Sequence, residues 1–339
     1  MWGVIRAEDA HGSILVVTLW LVLTLAMVAI ALAAYLSTET RLMRVRLARA
    51  QAKTWARAGV MLGLERLADD LAPPQDGADW LGERWASAWT IALPLAGDAA
   101  FQGRVSIVIT DEDRTLDMNR IEDPAIHRVV DALTGNTTTG DLVADYVDAD
   151  ERARPSGLEA QEAPAWYRAK NGPIAVMEEL RQIPGLADEQ YALLAHETSA
   201  WLAPASTINL NTADASLVQA LFVTAGEPAL AEQVVAYRWD PADGADPEGG
   251  NHFVQLRPEV QTRGAPLDPG VKDALARVMT GPVGAWLGVQ SSVFRVAVTT
   301  EIAAPPVRAQ MVAVVRRAAP GGALQVGNVS FQMLGWREG

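Results

Sequence analysis

The chain is expected to be α+β: a long N-terminal transmembrane helix, a small antiparallel sheet domain, and a large, mostly helical domain inserted into that sheet. Three observations lead there. Ser13–Leu36 is an unbroken apolar run without charge, Pro or Gly. Strand-like alternation appears at 103–110 and again between 292 and 334. The long stretch between those strands carries helical spacing and loop residues instead.

The first twelve residues form a short polar leader ending in His11-Gly12. The apolar run that follows is long enough for a helix to cross a bilayer, which takes about 20 residues because the backbone must satisfy its own hydrogen bonds there. A secretory signal would carry a shorter apolar core, about 7–15 residues, with a small-residue cleavage site after it. From Ser37 to Leu71 the sequence stays rich in Ala, Leu, Arg, Met and Glu, all good helix formers. Ala48, Ala52, Trp55, Gly59 and Leu62 recur at helical spacing and mark a face on which another layer can approach closely. Pro73-Pro74 ends the helix, since neither residue can donate a backbone hydrogen bond. One helix from Ser13 to Leu71 would be roughly 90 Å long. A juxtamembrane coiled coil would need a longer and more regular heptad pattern.

Charge is unevenly placed. The chain has 339 residues and a formal charge of −13, yet Arg41, Arg44, Arg46, Arg49, Lys53, Arg57 and Arg66 cluster just after the apolar run. The acidic remainder repels nucleic-acid phosphates and suits divalent cations or basic partners. There is no Cys, which excludes disulfides and thiolate metal sites. At roughly 150 residues per domain there is room for two domains beyond the anchor.

Gly103–Thr110 reads as a strand, followed much later by Ser292–Ile302, Arg308–Arg317 and Gln325–Leu334, with breaks at Pro305-Pro306 and Pro320-Gly321-Gly322. The last three form an antiparallel meander. Strand, helical block and strands in that order imply an insertion. The expected divisions are a leader at 1–12 and a long helix at 13–72, of which 13–36 spans the membrane. The sheet domain takes 73–120 with 291–339, and the inserted helical domain takes 121–290. Leu116–Asp123 and Ile208–Asp214 read alike, and both lead into helical stretches (Ala125–Leu133 and Ala215–Phe222) whose free N–H groups their Asn and Asp side chains would cap.

The junction of Gly12, a small residue and a long apolar helix resembles a type IV prepilin-type processing site. Inside the later block, Arg114-Thr-Leu-Asp-Met-Asn-Arg-Ile121, Asp145-Tyr-Val-Asp-Ala-Asp150, Tyr167-Arg-Ala-Lys-Asn-Gly-Pro173, Glu178-Glu-Leu-Arg-Gln-Ile-Pro-Gly-Leu186 and Ile208-Asn-Leu-Asn-Thr-Ala213 follow one another in a family's order. Together they resemble the minor pseudopilin K family of type II secretion (general secretion pathway protein K). The resemblance implies a pilin-like sheet domain and cleavage between Gly12 and Ser13 by the prepilin peptidase, with Ser13 then N-methylated. It also implies a single-pass inner-membrane protein with a periplasmic body. Most pilin-like chains carry Glu at the fifth mature position, where this chain has Val17. A carboxylate in the bilayer is costly unless it meets a positive partner, and a subunit without one needs no neighbour above it. The family role is accordingly at the pseudopilus tip, with minor pseudopilins I and J and the major pseudopilin, in contact with secreted substrates or the outer-membrane channel. The competing class is a membrane-anchored periplasmic binding or scaffold module outside any filament. Read alone, the basic cluster after the span would place the body in the cytoplasm by the positive-inside rule, opposite to what the resemblance implies.

Asp145, Asp148 and Asp150 lie close together, and Glu159 follows at the position of a family Gly-Ala-Glu that here reads Gly157-Leu-Glu159. Hard carboxylate oxygens suit Ca²⁺, and the resemblance implies calcium at this loop. Ala160-Gln161 replaces the acidic and aromatic residues of the family, and a solvated acidic loop is the alternative. Glu179–Leu186 looks like a helix-hairpin-helix, but its acidic flanks lack the cations that bind phosphates, so it reads as architecture without nucleic acid. No nucleophile elbow, phosphate loop or Cys nucleophile is present. Asp111 and Asp113 read as a solvated turn, and the four His show no metal-ligand spacing. The chain is expected not to be an enzyme. Trp80, Trp85 and Trp89 would share part of one face after the helix, mostly as core.

Overall fold

The structure is a computed structural model that describes residues 10–71, 77–93, 101–159, 164–200, 206–238, 250–317 and 324–339. The expected breaks at Pro73-Pro74 and Pro320-Gly321-Gly322 lie outside the described residues, as do Ala160, Gln161 and leader residues 1–9.

Helix α1 runs Ala10–Asp69 without interruption. Strands β1 (Trp89–Leu93) and β2 (Gly103–Asp111) follow. The chain then leaves the sheet through β3 (Leu116–Asp117), α2 (Pro124–Thr134), α3 (Thr139–Val147), α4 (Asp188–Glu197), β4 (Thr198–Ser199), β5 (Ile208–Asn209), α5 (Ala215–Thr224) and α6 (Pro228–Tyr237). After β6 (His252–Gln255), β7 (Gln261–Arg263), α7 (Pro269–Thr280) and β8 (Leu287–Gly288), it re-enters the sheet with β9 (Val293–Ile302). Strands β10 (Val307–Arg317), β11 (Leu324–Val326) and β12 (Val329–Glu338) complete it.

The six-stranded sheet has the order β1-β2-β9-β10-β12-β11, and every neighbouring pair is antiparallel. β2 pairs with β9 from Gly103 opposite Ile302 to Asp111 opposite Phe294. Everything between Asp111 and Val293 is therefore an insertion between two adjacent strands. Residues of β3 already pair with β4, inside the inserted unit.

The second half of α1 lies across one sheet face. Ala56, Val60, Leu64 and Leu67 meet Val105, Ile107, Ile109, Phe294, Val296, Val298, Met311 and Phe331 in one core. Small residues set the approach: a Cβ on Gly59 would lie 2.7 Å from Val298 Cγ1, and one on Gly63 2.6 Å from Val296 Cγ1. Ala48, Ala52 and Gly59 sit on this face as expected, with Trp55 at its rim, but Leu62 is exposed and Gly63 takes its place. The 4-3 spacing averages 3.5 residues, while a straight helix turns every 3.6 and here crosses a twisted sheet, so the buried stripe walks on by one residue.

A separate core fills the inserted domain, where Ile126, Val129 and Val130 of α2 pack with Leu194, Leu217, Leu221, Phe222 and Val234. Two structural expectations fail locally. Gln325–Leu334 is not one strand but a hairpin, with Val326 opposite Val329 across Gly327-Asn328. Gly327 has φ +56°, the geometry that a two-residue hairpin turn requires. The three Trp do not share a face either. Trp80 stacks on His252 at 4.4 Å, Trp85 is buried edge-on to Phe294 at 5.2 Å, and Trp89 opens β1 beneath the Arg66 guanidinium at 3.8 Å. The period-2 alternation of Trp89, Ile91 and Leu93 was the overlooked sign of a strand.

Candidate functional site

Every side chain from Ile14 to Leu36 is exposed, and the first fully buried position on α1 is Ala48. The apolar half of the rod therefore projects away from the body, with Val17 60% exposed on it. Gly12 and Ser13 fall within the first turns of α1. The basic cluster partly serves the fold: Arg57 Nη2 lies 2.8 Å from Glu338, and Lys53 Nζ 3.5 Å from the same carboxylate, tying α1 to β12.

The root of the insertion is a buried polar junction beside the far end of α1. Arg317 donates from Nη1 to Asp70 at 2.6 Å, from Nη2 to Asp79, and to the Ser291 carbonyl at 3.1 Å. Ser291 Oγ bonds Asp111 Oδ2 at 2.6 Å, and the same oxygen accepts from Thr212 Oγ1 at 2.5 Å. Asn209 donates to the Asp79 carbonyl at 2.9 Å and to Ser291 Oγ at 2.7 Å, while Asn211 donates to the Phe253 carbonyl at 2.9 Å. Asp113 accepts from the backbone N–H groups of Ser292 and Val293. Asp111 and Asp113 are thus buried, not on a solvated turn. Isolated acids on a short segment read as solvent-facing; only the approach of β5 and the 291–293 segment covers them.

Burial dominates their electrostatics. It raises the Asp70 carboxyl to about 6 against the pull of Arg317. Glu83, which accepts from Trp85 Nε1 at 2.6 Å, is pushed up to about 8 by burial and by the Asp70 and Asp79 charges. Burial, with Asp113 alongside, raises Asp111 to about 8. Asp70, Asp79 and Glu83 bring oxygens within 4.8 Å of one another, but Arg317 already bridges the first two.

The expected helix caps divide. Asp123 Oδ1 accepts from the Ala125 N–H at 2.9 Å and caps α2. Asp214 precedes α5 without a side-chain cap, and Asn209 and Asn211 belong to the junction. Asp214 instead receives Arg114 Nη1 at 2.7 Å and lies 3.2 Å from His196 Nδ1, which is 3.1 Å from Glu197. A shared sequence pattern here hides two different jobs, because other elements compete for the oxygens. The His196, Glu197 and Asp214 grouping depends on α4 meeting the start of α5, so residue spacing did not show it.

The acidic stretch begins in the last turn of a helix and runs out into the loop after it. Asp141, Asp145 and Asp148 recur at one-turn spacing on α3 and its C-terminal cap, and the chain at 154–157 folds back onto them. Arg154 Nη1 donates to Asp145 Oδ1 at 2.7 Å and also to Asp148, and the Arg154 N–H reaches Asp145 Oδ2 at 3.0 Å. Ser156 N–H donates to Asp141 Oδ2 at 2.9 Å. Asp150 is exposed and turns to the Arg152 N–H at 2.8 Å. Glu159 is buried near Asp145 and Tyr167, whose hydroxyl is raised by burial and then by Tyr146, Glu159 and Asp145. Of the four carboxylates, then, Asp145, Asp148 and Glu159 come to one region and Asp150 does not. Calcium takes six to eight oxygens. With a guanidinium bridging Asp145 and Asp148, the residues as folded do not form such a cage.

Residues 117–205 match the family model described as type II secretion system, protein K. Over that stretch, about a quarter of its length, the chain is similar to protein K of type II secretion. The matched residues take in α2, α3, the acidic stretch and α4, and so contain most of the segments on which the resemblance rested. No curated protein matches the chain by sequence. Among solved structures, it is similar to a chain in the crystal structure of the GspK-GspI-GspJ complex from the enterotoxigenic Escherichia coli type 2 secretion system. The two are 19% identical, with a TM-score of 0.60, covering 88% of this chain and 99% of that one. At that identity the likeness speaks to the fold. Its 88% coverage extends it well beyond residues 117–205.

Proposed function

We propose that this chain is a minor pseudopilin K, processed between Gly12 and Ser13, N-methylated at Ser13 and anchored in the inner membrane by 13–36 with its body in the periplasm. It stands at the pseudopilus tip with minor pseudopilins I and J, primes assembly of the major pseudopilin, and supports protein export across the outer membrane. Its role is structural, not enzymatic.

One observation carries this reading: where the inserted domain, which contains the matched residues 117–205, is rooted. It leaves and re-enters the sheet at Asp111 and Val293, beside Asp70 at the far end of α1. The helix between Leu36 and Asp69 puts that root roughly 50 Å beyond the apolar half. Bulk placed there obstructs a subunit stacking above, and Val17 leaves no buried carboxylate asking for one.

The test is the mass of the N-terminal peptide from membranes, together with crosslinking from position 17. A chain starting at methylated Ser13, with Gly12→Ala blocking both cleavage and secretion, is the expected result. Secretion that proceeds with the chain still starting at Met1 would leave only an anchored module outside any filament. A crosslink from Val17 to a subunit on the distal side would remove the tip assignment.

A further inference from the structure

We propose that Arg154 takes the place of a divalent cation in this domain, so that the turn after α3 is held by an internal guanidinium and folds without calcium. The inference departs from what the resemblance implies for the acidic stretch, and it stands whether or not the chain works at a filament tip.

The argument starts from charge. Asp141, Asp145 and Asp148 are 9%, 0% and 5% exposed, the first two one turn apart on α3 and the third at its C-terminal cap. Like charges at that spacing repel, and burying them costs free energy unless each is paired and hydrogen-bonded. Something positive must sit among them. Arg154 does, with one nitrogen shared between Asp145 and Asp148 and its own backbone N–H on the second Asp145 oxygen. His127 Nε2 lies 3.1 Å from Asp141 Oδ1 on the other side. Burial works against the charged guanidinium, but the hydrogen bonds to Asp148 and Asp145 outweigh it and hold the pKa of Arg154 above its ordinary value.

The backbone is shaped to this arrangement. A Cβ on Gly157 would fall 1.9 Å from Asp145 Oδ2, so the returning chain rests directly on the carboxylate. Both Asp145 oxygens and one of Asp148 are thereby engaged. A calcium ion would need those oxygens and several more. Asp150 is turned away, and 160 and 161 are Ala and Gln. A guanidinium, unlike an ion, is covalently part of the chain and costs no binding equilibrium. Asp148 Oδ1, buried without a hydrogen-bond partner among the described residues, is the atom through which a cation would compete, which makes a direct measurement necessary.

The experiment uses the full-length chain in detergent, with and without 1 mM Ca²⁺ after EDTA treatment. Wild type should unfold at the same temperature in both and give no Tb³⁺ luminescence sensitised from Tyr146, Tyr167 or Trp166. Arg154→Met should lower the unfolding temperature in EDTA by roughly 5–10 °C, and calcium should restore part of it. The double variant Arg154→Met with Asp145→Asn should recover stability without calcium. Wild type that is stabilised by several degrees in calcium, or that binds Tb³⁺, would overturn the proposal, as would Arg154→Met with wild-type stability in EDTA. Should Arg154→Met fail to fold, the two wild-type measurements decide alone.

Discussion

Replacing Arg317 with Met should destabilise the full-length protein by about 3–5 kcal/mol at pH 8, because it strands two buried carboxylates. The Arg317 side chain is 4% exposed, with Asp70 at 2.6 Å, Asp79 against Nη2, and the Phe294 ring 4.6 Å below the guanidinium. Met keeps much of the packing over Phe294 and removes only the charge and donors. The loss should depend on pH. The Asp70 carboxyl already sits at about 6, raised chiefly by burial with Arg317 opposing, and it rises further without that cation. An unfolded Asp titrates near 4, so between those values the folded state binds more protons than the unfolded one. Stability from such a group is complete below about 4 and is lost as pH rises through the folded value. Lowering the pH to 5.5 should therefore shrink the deficit, by up to about 1.4 kcal/mol per unit for each stranded carboxylate. Wild type should follow the same sign more gently, with Glu83 and Asp111 at about 8 favouring the folded state at the acid end of the window. Urea unfolding in detergent, followed by Trp fluorescence with Trp85 beside the site, measures both. Arg317→Met with Asp79→Asn should recover a large part of the loss. A deficit under about 1 kcal/mol, or one equal at the two pH values and untouched by Asp79→Asn, would refute the account of the junction.

Two further outcomes test the packing and the caps. Gly63→Leu should cost about 1–3 kcal/mol by forcing α1 off the sheet at Val296, and Val296→Ala should relieve it in a double-mutant cycle. Asp123→Ala should cost about 1 kcal/mol as a lost helix cap. Asp214→Ala, by contrast, should act through its half-exposed pair with Arg114 and lose its effect in an Arg114→Ala background, measured by the same urea curves.

Much of this molecule was legible because its signals are local. Apolar run length set the rod, alternation set three of the six strands (β2, β9 and β10), and the break between strand groups set the insertion. The misses have two causes, short local signals and enclosure by distant segments. Trp89–Leu93 and the Gly327-Asn328 turn carried signals too short to stand out beside longer elements. Leu62 gave way to Gly63 because the buried face of a helix is defined by what it crosses. Asp111, Asp113, Asn209 and Asn211 read as ordinary turn and capping residues until distant segments enclosed them.

From sequence alone came the long helix, its apolar half, the absence of a carboxylate at Val17, and the order of the segments that resemble protein K; each depends on neighbours in the chain. Tertiary structure alone decided that Arg317 sits between Asp70 and Asp79, that His196 meets Asp214, and that Arg154 answers the acids of α3. The reason is physical. A buried charge must find a counter-charge wherever the fold brings one, and residue order does not record which of many cations will arrive.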